Sequence, residues 1–188
     1  FYYKPRIDRQ LLAQYHEGVI ALSACAGGEP PQRILQGDLQ GAREAAAWYR
    51  DLMGPDGYYL ELQRHPGIPE LEPVNQELAR IARELQIPLV ATNDPHYIRP
   101  DDADAHDTLL CLQTNRLKSD PDRMHMSDES YYLKSGDEMA ALFPEWPDAL
   151  DNTLRIAEMC NVEFEFGRVE LPEFALPEGH VPDSYLRQ

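Results

Sequence analysis

Between Val19 and Asn93 the sequence alternates short apolar, β-leaning runs with long stretches of helical periodicity, and this alternation limits the fold more than any other feature. The runs are Val19 to Cys25, Tyr58 to Leu62 and Pro88 to Asn93. A helix starts at Asp38, with Leu39, Ala42, Ala45, Ala46, Tyr49 and Met53 at helical spacing, and Pro55, Asp56 and Gly57 end it. Pro66 and Gly67 lead into a second helix with Leu71, Val74, Leu78, Ile81 and Leu85 on one face. Strands of this length between amphipathic helices make βαβ units, and so a parallel sheet or barrel buried by helices. The expected fold class is α/β. A further helix begins at Asp8 as N-cap and runs to about Tyr15, with Gly18 as the stop.

After Pro100 the alternation ends. The spacing predicts a helix over 102–112, a polar stretch from Asn115 to Asp128, a short apolar segment near Tyr131 to Leu133, and helices over 137–143 and 147–159. Val162-Glu163-Phe164-Glu165-Phe166 alternates with period two and is read as a last strand. Residues 167–188 carry Pro172, Pro177 and Pro182 among acidic residues and read as a connector, which leaves 1–166 as the folded unit.

The 188 residues suffice for one domain with a core of its own, so stability gives no reason to invoke a metal. No apolar run is long enough to cross a bilayer, which points to a soluble protein with no membrane partner. The first residues show neither the order of a signal peptide nor an initiating Met, so the chain is expected to start within a longer protein. Cys25, Cys111 and Cys160 are too scattered for a disulfide framework and fit a reducing, cytoplasmic setting. Asp and Glu number 33 against 17 Lys and Arg, so the chain alone should not hold DNA strongly. DNA is expected only through the full-length protein.

In α/β folds, functional groups collect where strands end. Cys25 ends the first run, Glu61 sits late in the second with His65 just beyond, and Asp94-Pro95-His96 follows the third. Cys, Asp and His are all ligand types for zinc and similar metals, and Asp-x-His on an extended segment turns two side chains to one side. Each residue also has a bland reading. A strand-terminal Cys is often a small buried hydrophobe, Glu61 fits a structural ion pair, and Asp94 fits a turn cap. Asp104-Ala105-His106 opens a helix, where side chains two apart diverge by about 200°, so this second Asp-x-His is read as structural, with Asp102 or Asp104 as N-cap. His16, His125 and His180 read as surface histidines. Ser23-Ala24-Cys25 is no nucleophile elbow, and Ala26-Gly27-Gly28 is neither a Walker loop nor a dinucleotide fingerprint. Trp48-Tyr49 and Tyr58-Tyr59 read as core, without the basic residues that base stacking needs.

Several segments, in this order, resemble the PHP (polymerase and histidinol phosphatase) domain of bacterial DNA polymerase III alpha subunits. They are Lys4-Pro5-Arg6-Ile7-Asp8, Leu22 to Glu29 through Ser23-Ala24-Cys25-Ala26-Gly27-Gly28, Tyr59-Leu60-Glu61-Leu62-Gln63-Arg64-His65, and Ala91-Thr92-Asn93-Asp94-Pro95-His96-Tyr97. Asp104-Ala105-His106-Asp107, Glu138-Met139 to Leu142-Phe143, and Asn152-Thr153 to Cys160-Asn161 continue it. The resemblance implies part of a distorted seven-stranded barrel with helices outside, similar to a TIM barrel, whose strand ends hold divalent metals, usually zinc or manganese. Carried over by position, Cys25, Asp94 and His96 match late metal ligands of that family, supplying metal bonds rather than protons, and no residue here is assigned as catalytic. Glu61 and His65 are candidates for orienting ligands or bridging waters. The family's earlier ligands, from a His-x-His motif onward, have no match in this sequence, and neither do the palm's catalytic aspartates.

Taken over whole, the resemblance implies the C-terminal portion of a PHP domain over 1–166 and a connector toward the polymerase palm over 167–188, within a DNA-directed DNA polymerase. In the intact domain it implies metal-dependent 3′-to-5′ exonuclease or phosphoesterase chemistry. Two alternatives stay open: an inactive platform binding the polymerase core or a proofreading exonuclease subunit, and a histidinol-phosphatase-like enzyme.

Overall fold

The computed structural model describes residues 6–169 and 174–187; Lys4, Pro5 and Pro172, used in the reading above, lie outside them. The elements are α1 (Arg9–Tyr15), β1 (Ala21–Leu22), α2 (Glu29–Leu35), α3 (Leu39–Met53), β2 (Tyr58–Leu62), α4 (Leu71–Leu85), β3 (Leu89–Ala91), α5 (Ala103–Thr114) behind a 3-10 turn at Pro100–Asp102, α6 (Gly136–Leu142), α7 (Pro147–Met159) and α8 (Pro182–Leu186). Among the described residues no helix is long and apolar enough to cross a membrane.

The strands form a parallel sheet in chain order, β1-β2-β3. Ala21 pairs with Tyr58, and Leu60 with Leu89. The mixed α/β architecture expected from the alternation is therefore present. Around the central strand, Tyr58, Leu60 and Leu62 pack against Ala42 and Ala46 of α3, Val74, Leu78 and Ile81 of α4, and Phe143 and Ala149. Burying each large apolar side chain contributes about 1.5–3 kcal/mol, so this single cluster holds the helices to the sheet.

Helix starts follow from local chemistry. The Asp8 carboxylate accepts from the Leu11 N–H at 2.9 Å, and Ser135 with Glu138 forms a capping box at α6. At α3 the Asp38 carboxylate accepts from the Gly41 N–H at 2.9 Å and pairs with Arg33 at 2.9 Å. The Gly41 N–H, and after it Arg33, hold this carboxyl below its ordinary value. A depressed folded value means stability that is present above the ordinary Asp range and lost as pH falls through the folded value. Asp38→Asn is therefore expected to flatten the acid limb of a melting-temperature profile below about pH 4. Parent and variant profiles of equal acid slope would refute this.

Several expectations are corrected. The run from Val19 to Cys25 is paired over only two residues, because Ala24 (φ 64°) swings the chain out of the extended region before Cys25. Ladder contact continues one step beyond, where the Ser23 N–H donates to the Tyr59 carbonyl at 3.0 Å. Asp94 (φ 48°) likewise turns the chain after β3. The stretch after Gly28 is not merely a break but helix α2, with Pro30 and Pro31 buried in its first turn, where a missing N–H costs nothing. Val162 to Phe166 is not a strand: among the described residues no strand pairs with it, and Phe164 and Phe166 are 75% and 92% exposed. Arg9 supplies the basic partner not seen beside Trp48 and Tyr49, stacking 4.5 Å and 5.5 Å from the ring centres, as an internal clamp of α1 onto α3.

Candidate metal centre at the strand ends

Parallel pairing brings the carboxyl ends of β1, β2 and β3 to one edge of the sheet, where Glu61 is the next-to-last residue of β2 and Cys25, His65, Asp94 and His96 follow the strand ends. Cys25 is an exposed free thiol in the turn after Ala24. Glu61 is tied into the sheet. Its N–H donates to the Ser23 hydroxyl at 2.8 Å, and its carboxylate accepts from the Gln63 amide at 3.0 Å and from the Thr92 hydroxyl. Glu61 thus links all three strand ends by hydrogen bonds rather than by the ion pair considered from sequence. With Cys25 and Gln63 it also lines a void of about 10 Å³, near the room that one water needs.

Asp94 and His96 lie together. Nδ1 of His96 stands 2.7 Å from the Asp94 carbonyl and 4.0 Å from its carboxylate. A carbonyl only accepts, so Nδ1 carries a proton, and in the neutral imidazole the lone pair is then on Nε2. That tautomer is the one a metal-binding imidazole needs.

His65 is more deeply set than its rank as a supporting residue suggested. It is 5% exposed, its Nδ1 lies 2.7 Å from the Ser130 hydroxyl, and its Nε2 is buried with no hydrogen-bond partner. Burial pushes the imidazole below its ordinary value, against the opposing pull of Asp128. His65 is thus held neutral, a second imidazole with an unengaged nitrogen.

Residues from the polar stretch and the short apolar segment complete the surroundings, and sequence reasoning gave them no role. Tyr131 is buried, and burial pushes its hydroxyl up although Ser127 bonds it; the charges of Asp128 and Asp94 push it the same way. Burial alone would push Asp128 up, but the Ser130 hydroxyl and the N–H groups of Gly67 and Ser130 hold it down. The only sequence hint was the apolar pair Tyr131-Tyr132 between polar stretches.

The second Asp-x-His behaves as expected on one count. Asp104 points outward to Lys118, while His106 turns inward, so the two do not converge. Asp102 occupies the N-cap position of α5 but makes no cap bond to that helix; its carboxylate accepts from the Arg99 N–H at 2.9 Å, closing the 3-10 turn before it. The inward turn, however, sets the His106 ring 5.5 Å from that of His96, a contact sequence reasoning missed. His125 faces an open cleft of about 370 Å³ lined by Tyr97, His106 and Arg123. Among the described residues, no three His, Cys, Asp or Glu side chains are grouped closely enough to hold a metal ion. Asp94 and His96 are brought together; Cys25 is not in a closed group with them.

Residues 1–65 match the PHP domain family. A DNA polymerase III subunit alpha from Treponema pallidum is 44% identical over 187 residues, 99% of this chain and 16% of that protein. Those of Deinococcus radiodurans and Thermus aquaticus are each 43% identical and cover 100% of the chain, which spans 14% and 16% of their lengths. The chain thus corresponds to about one sixth of these relatives. By these similarities the chain belongs to the bacterial DNA polymerase III alpha-subunit family, as a segment of it that carries PHP-domain sequence.

Proposed function

We propose that this chain is the later part of the PHP domain in a replicative, cytoplasmic DNA polymerase III alpha subunit, and that Cys25, Asp94 and His96 contribute late ligands to a divalent-metal site. The observation that carries the reading is similarity to alpha subunits along essentially the whole chain. The larger protein would be a DNA-directed DNA polymerase, with residues 1–166 in a seven-stranded PHP barrel and 167–188 leading toward the palm. Other parts of the polymerase chain would complete both barrel and ligand set.

The donor chemistry fits zinc or manganese. A thiol, a carboxylate and an imidazole with a free Nε2 lie at neighbouring strand ends, and the buried Nε2 of His65 has no partner. A divalent metal held there would supply Lewis-acid chemistry, which would suit 3′-to-5′ exonuclease or phosphoesterase activity. Cys25 would have to bind as the thiolate, and Asp94 would add a carboxylate to balance the metal's charge. His96 offers Nε2 because the Asp94 carbonyl keeps the proton on Nδ1. Glu61 and His65 hold the surrounding strand ends and orient ligands or waters.

The test is metal content together with nuclease activity of the full-length protein. Asp94→Ala and His96→Ala are each expected to lower bound zinc or manganese and to reduce nuclease activity by about 10-fold or more. Parent levels of both in both variants would overturn the assignment.

A second reading, an inactive platform against the polymerase core or a proofreading exonuclease subunit, is favoured by exposed apolar residues. Val19 and Leu22 are 50% and 41% exposed at the outer edge of the sheet, and Leu133 and Leu154 border an apolar cleft of about 440 Å³. Retained metal with no nuclease activity in the intact protein would select it. The alpha-subunit relatives favour both readings over a free-standing histidinol-phosphatase-like enzyme.

A further inference from the structure

We infer that Tyr131 is a positioning residue: the segment from Ser127 to Tyr132 is a brace that holds the proposed ligand His96 in its binding orientation and fixes His65 beside it, with the Tyr131 ring as its centre. This rests on the metal-site reading above and adds to it a part of the chain more than 30 residues beyond the last proposed ligand.

The Tyr131 ring is in contact with both imidazoles. It lies parallel to His65, with centroids 4.0 Å apart and planes 11° apart, and meets His96 edge-on at 5.8 Å and 88°. A ring stacked on one imidazole and set perpendicular to another limits rotation of both. His106 also meets His96, edge-on at 5.5 Å and 71°. His96 is therefore flanked by two rings while its Nδ1 is fixed by the Asp94 carbonyl.

The backbone of the same segment is locked to the strand ends. The Tyr131 carbonyl accepts from the His96 N–H at 2.8 Å, and the Leu133 N–H donates to the Tyr97 carbonyl at 3.0 Å. Asn93, at the end of β3, donates its side-chain amide to the carbonyls of Ser130 (2.9 Å) and Tyr132 (2.8 Å). From the β2 side, Ser130 meets His65 Nδ1, and Asp128 accepts from the Gly67 N–H at 2.6 Å. Gly67 is required for this approach, since a Cβ there would stand 2.5 Å from the Ser127 carbonyl oxygen and 2.8 Å from the Asp128 carboxylate. The Tyr131 hydroxyl points away, to Ser127 at 2.7 Å, so the ring rather than the hydroxyl serves the histidines.

The experiment measures zinc affinity of the full-length protein by competition with a chromophoric chelator, well below the melting temperature. Tyr131→Phe keeps the ring and is expected to bind within about twofold of the parent, whereas Tyr131→Leu is expected to bind about 10- to 100-fold more weakly. Gly67→Ala, which displaces the brace and touches no ligand, is expected to weaken binding in the same direction and carries the test if Tyr131→Leu does not fold. Ile81→Val, a destabilising change in the core away from the site, is expected to lower the melting temperature and leave zinc affinity unchanged. Parent affinity in Tyr131→Leu and Gly67→Ala, or equal loss in Tyr131→Phe and Tyr131→Leu, overturns the inference alone. A parent protein that binds neither zinc nor manganese overturns the ligand assignment and this inference with it.

Discussion

Truncating Leu60 to Ala is expected to destabilise the protein by about 3–5 kcal/mol, seen as a lower denaturant midpoint at an unchanged slope. Leu60 is fully buried in the middle strand of the sheet, and its N–H donates to the Pro88 carbonyl at 3.0 Å, so its backbone cannot shift to fill the space. Helices α3 and α4, and Phe143 beyond them, close on the same cluster. Removing the side chain therefore leaves a cavity that no single element can relax into, and the loss is the transfer term plus that cavity. A cost this size is a large share of what an ordinary domain has in hand. Leu112→Ala, at a site 73% exposed, serves as the comparison and is expected to change stability by less than about 0.5 kcal/mol. Similar midpoints for the two variants would show that the cluster around β2 is not the core.

The second large effect is expected at Arg64, where Ala should cost about 2–4 kcal/mol. Its side chain is only 20% exposed, and its guanidinium has a partner on every side. Nε and Nη2 bind the two oxygens of Glu72 at 2.9 and 3.0 Å, Nη1 binds Glu145 at 3.0 Å and the Leu142 carbonyl, and the group sits 5.4 and 5.1 Å from the rings of Phe143 and Trp146. One side chain thereby joins the end of β2 to α4 and to the link between α6 and α7. Lys carries the charge but not the planar fork, so Arg64→Lys is expected to recover less than half of the loss. Combining Arg64→Ala with Glu72→Gln should cost less than the sum of the two changes, by about 1 kcal/mol. Strict additivity, or a cost below about 0.5 kcal/mol for Arg64→Ala, would assign the network to the solvated surface.

How far the fold could be read from sequence depended on whether the deciding contacts were local. β2 was legible to the residue because Tyr58 to Leu62 is apolar and bounded by Asp56-Gly57 before it and Pro66-Gly67 after it. α3, α4, α6 and α7 were legible because their spacing is local, and α3 and α6 also carry side-chain caps at Asp38 and Ser135. α2 was missed although its signal was present: a Pro pair directly after Gly28-Glu29 suits a first helical turn as well as a loop. Val162 to Phe166 shows the reverse failure. Its alternation is that of a strand, but a strand exists only where another edge accepts its hydrogen bonds.

The same division holds at the site. Asp94 beside His96 was legible, since two residues along one segment must be neighbours. The depth of His65 was not, because it depends on Ser130 and Tyr131, far along the chain. Nor was the bonding of Glu61 to Ser23 and Thr92, which requires knowing the parallel register.

The chain-order sheet bears on synthesis. Because β1, β2 and β3 neighbour each other in the order in which they leave the ribosome, each new strand finds its pairing edge already in place. The segment holding Tyr131 arrives roughly 35 residues after His96, about 2–7 s later at ordinary elongation rates. During that interval the sheet can form while both histidines still turn freely. The nascent chain therefore passes through a stage with its scaffold assembled and its metal-binding geometry not yet set, and the last part of the centre to be fixed comes from a stretch that supplies no proposed ligand.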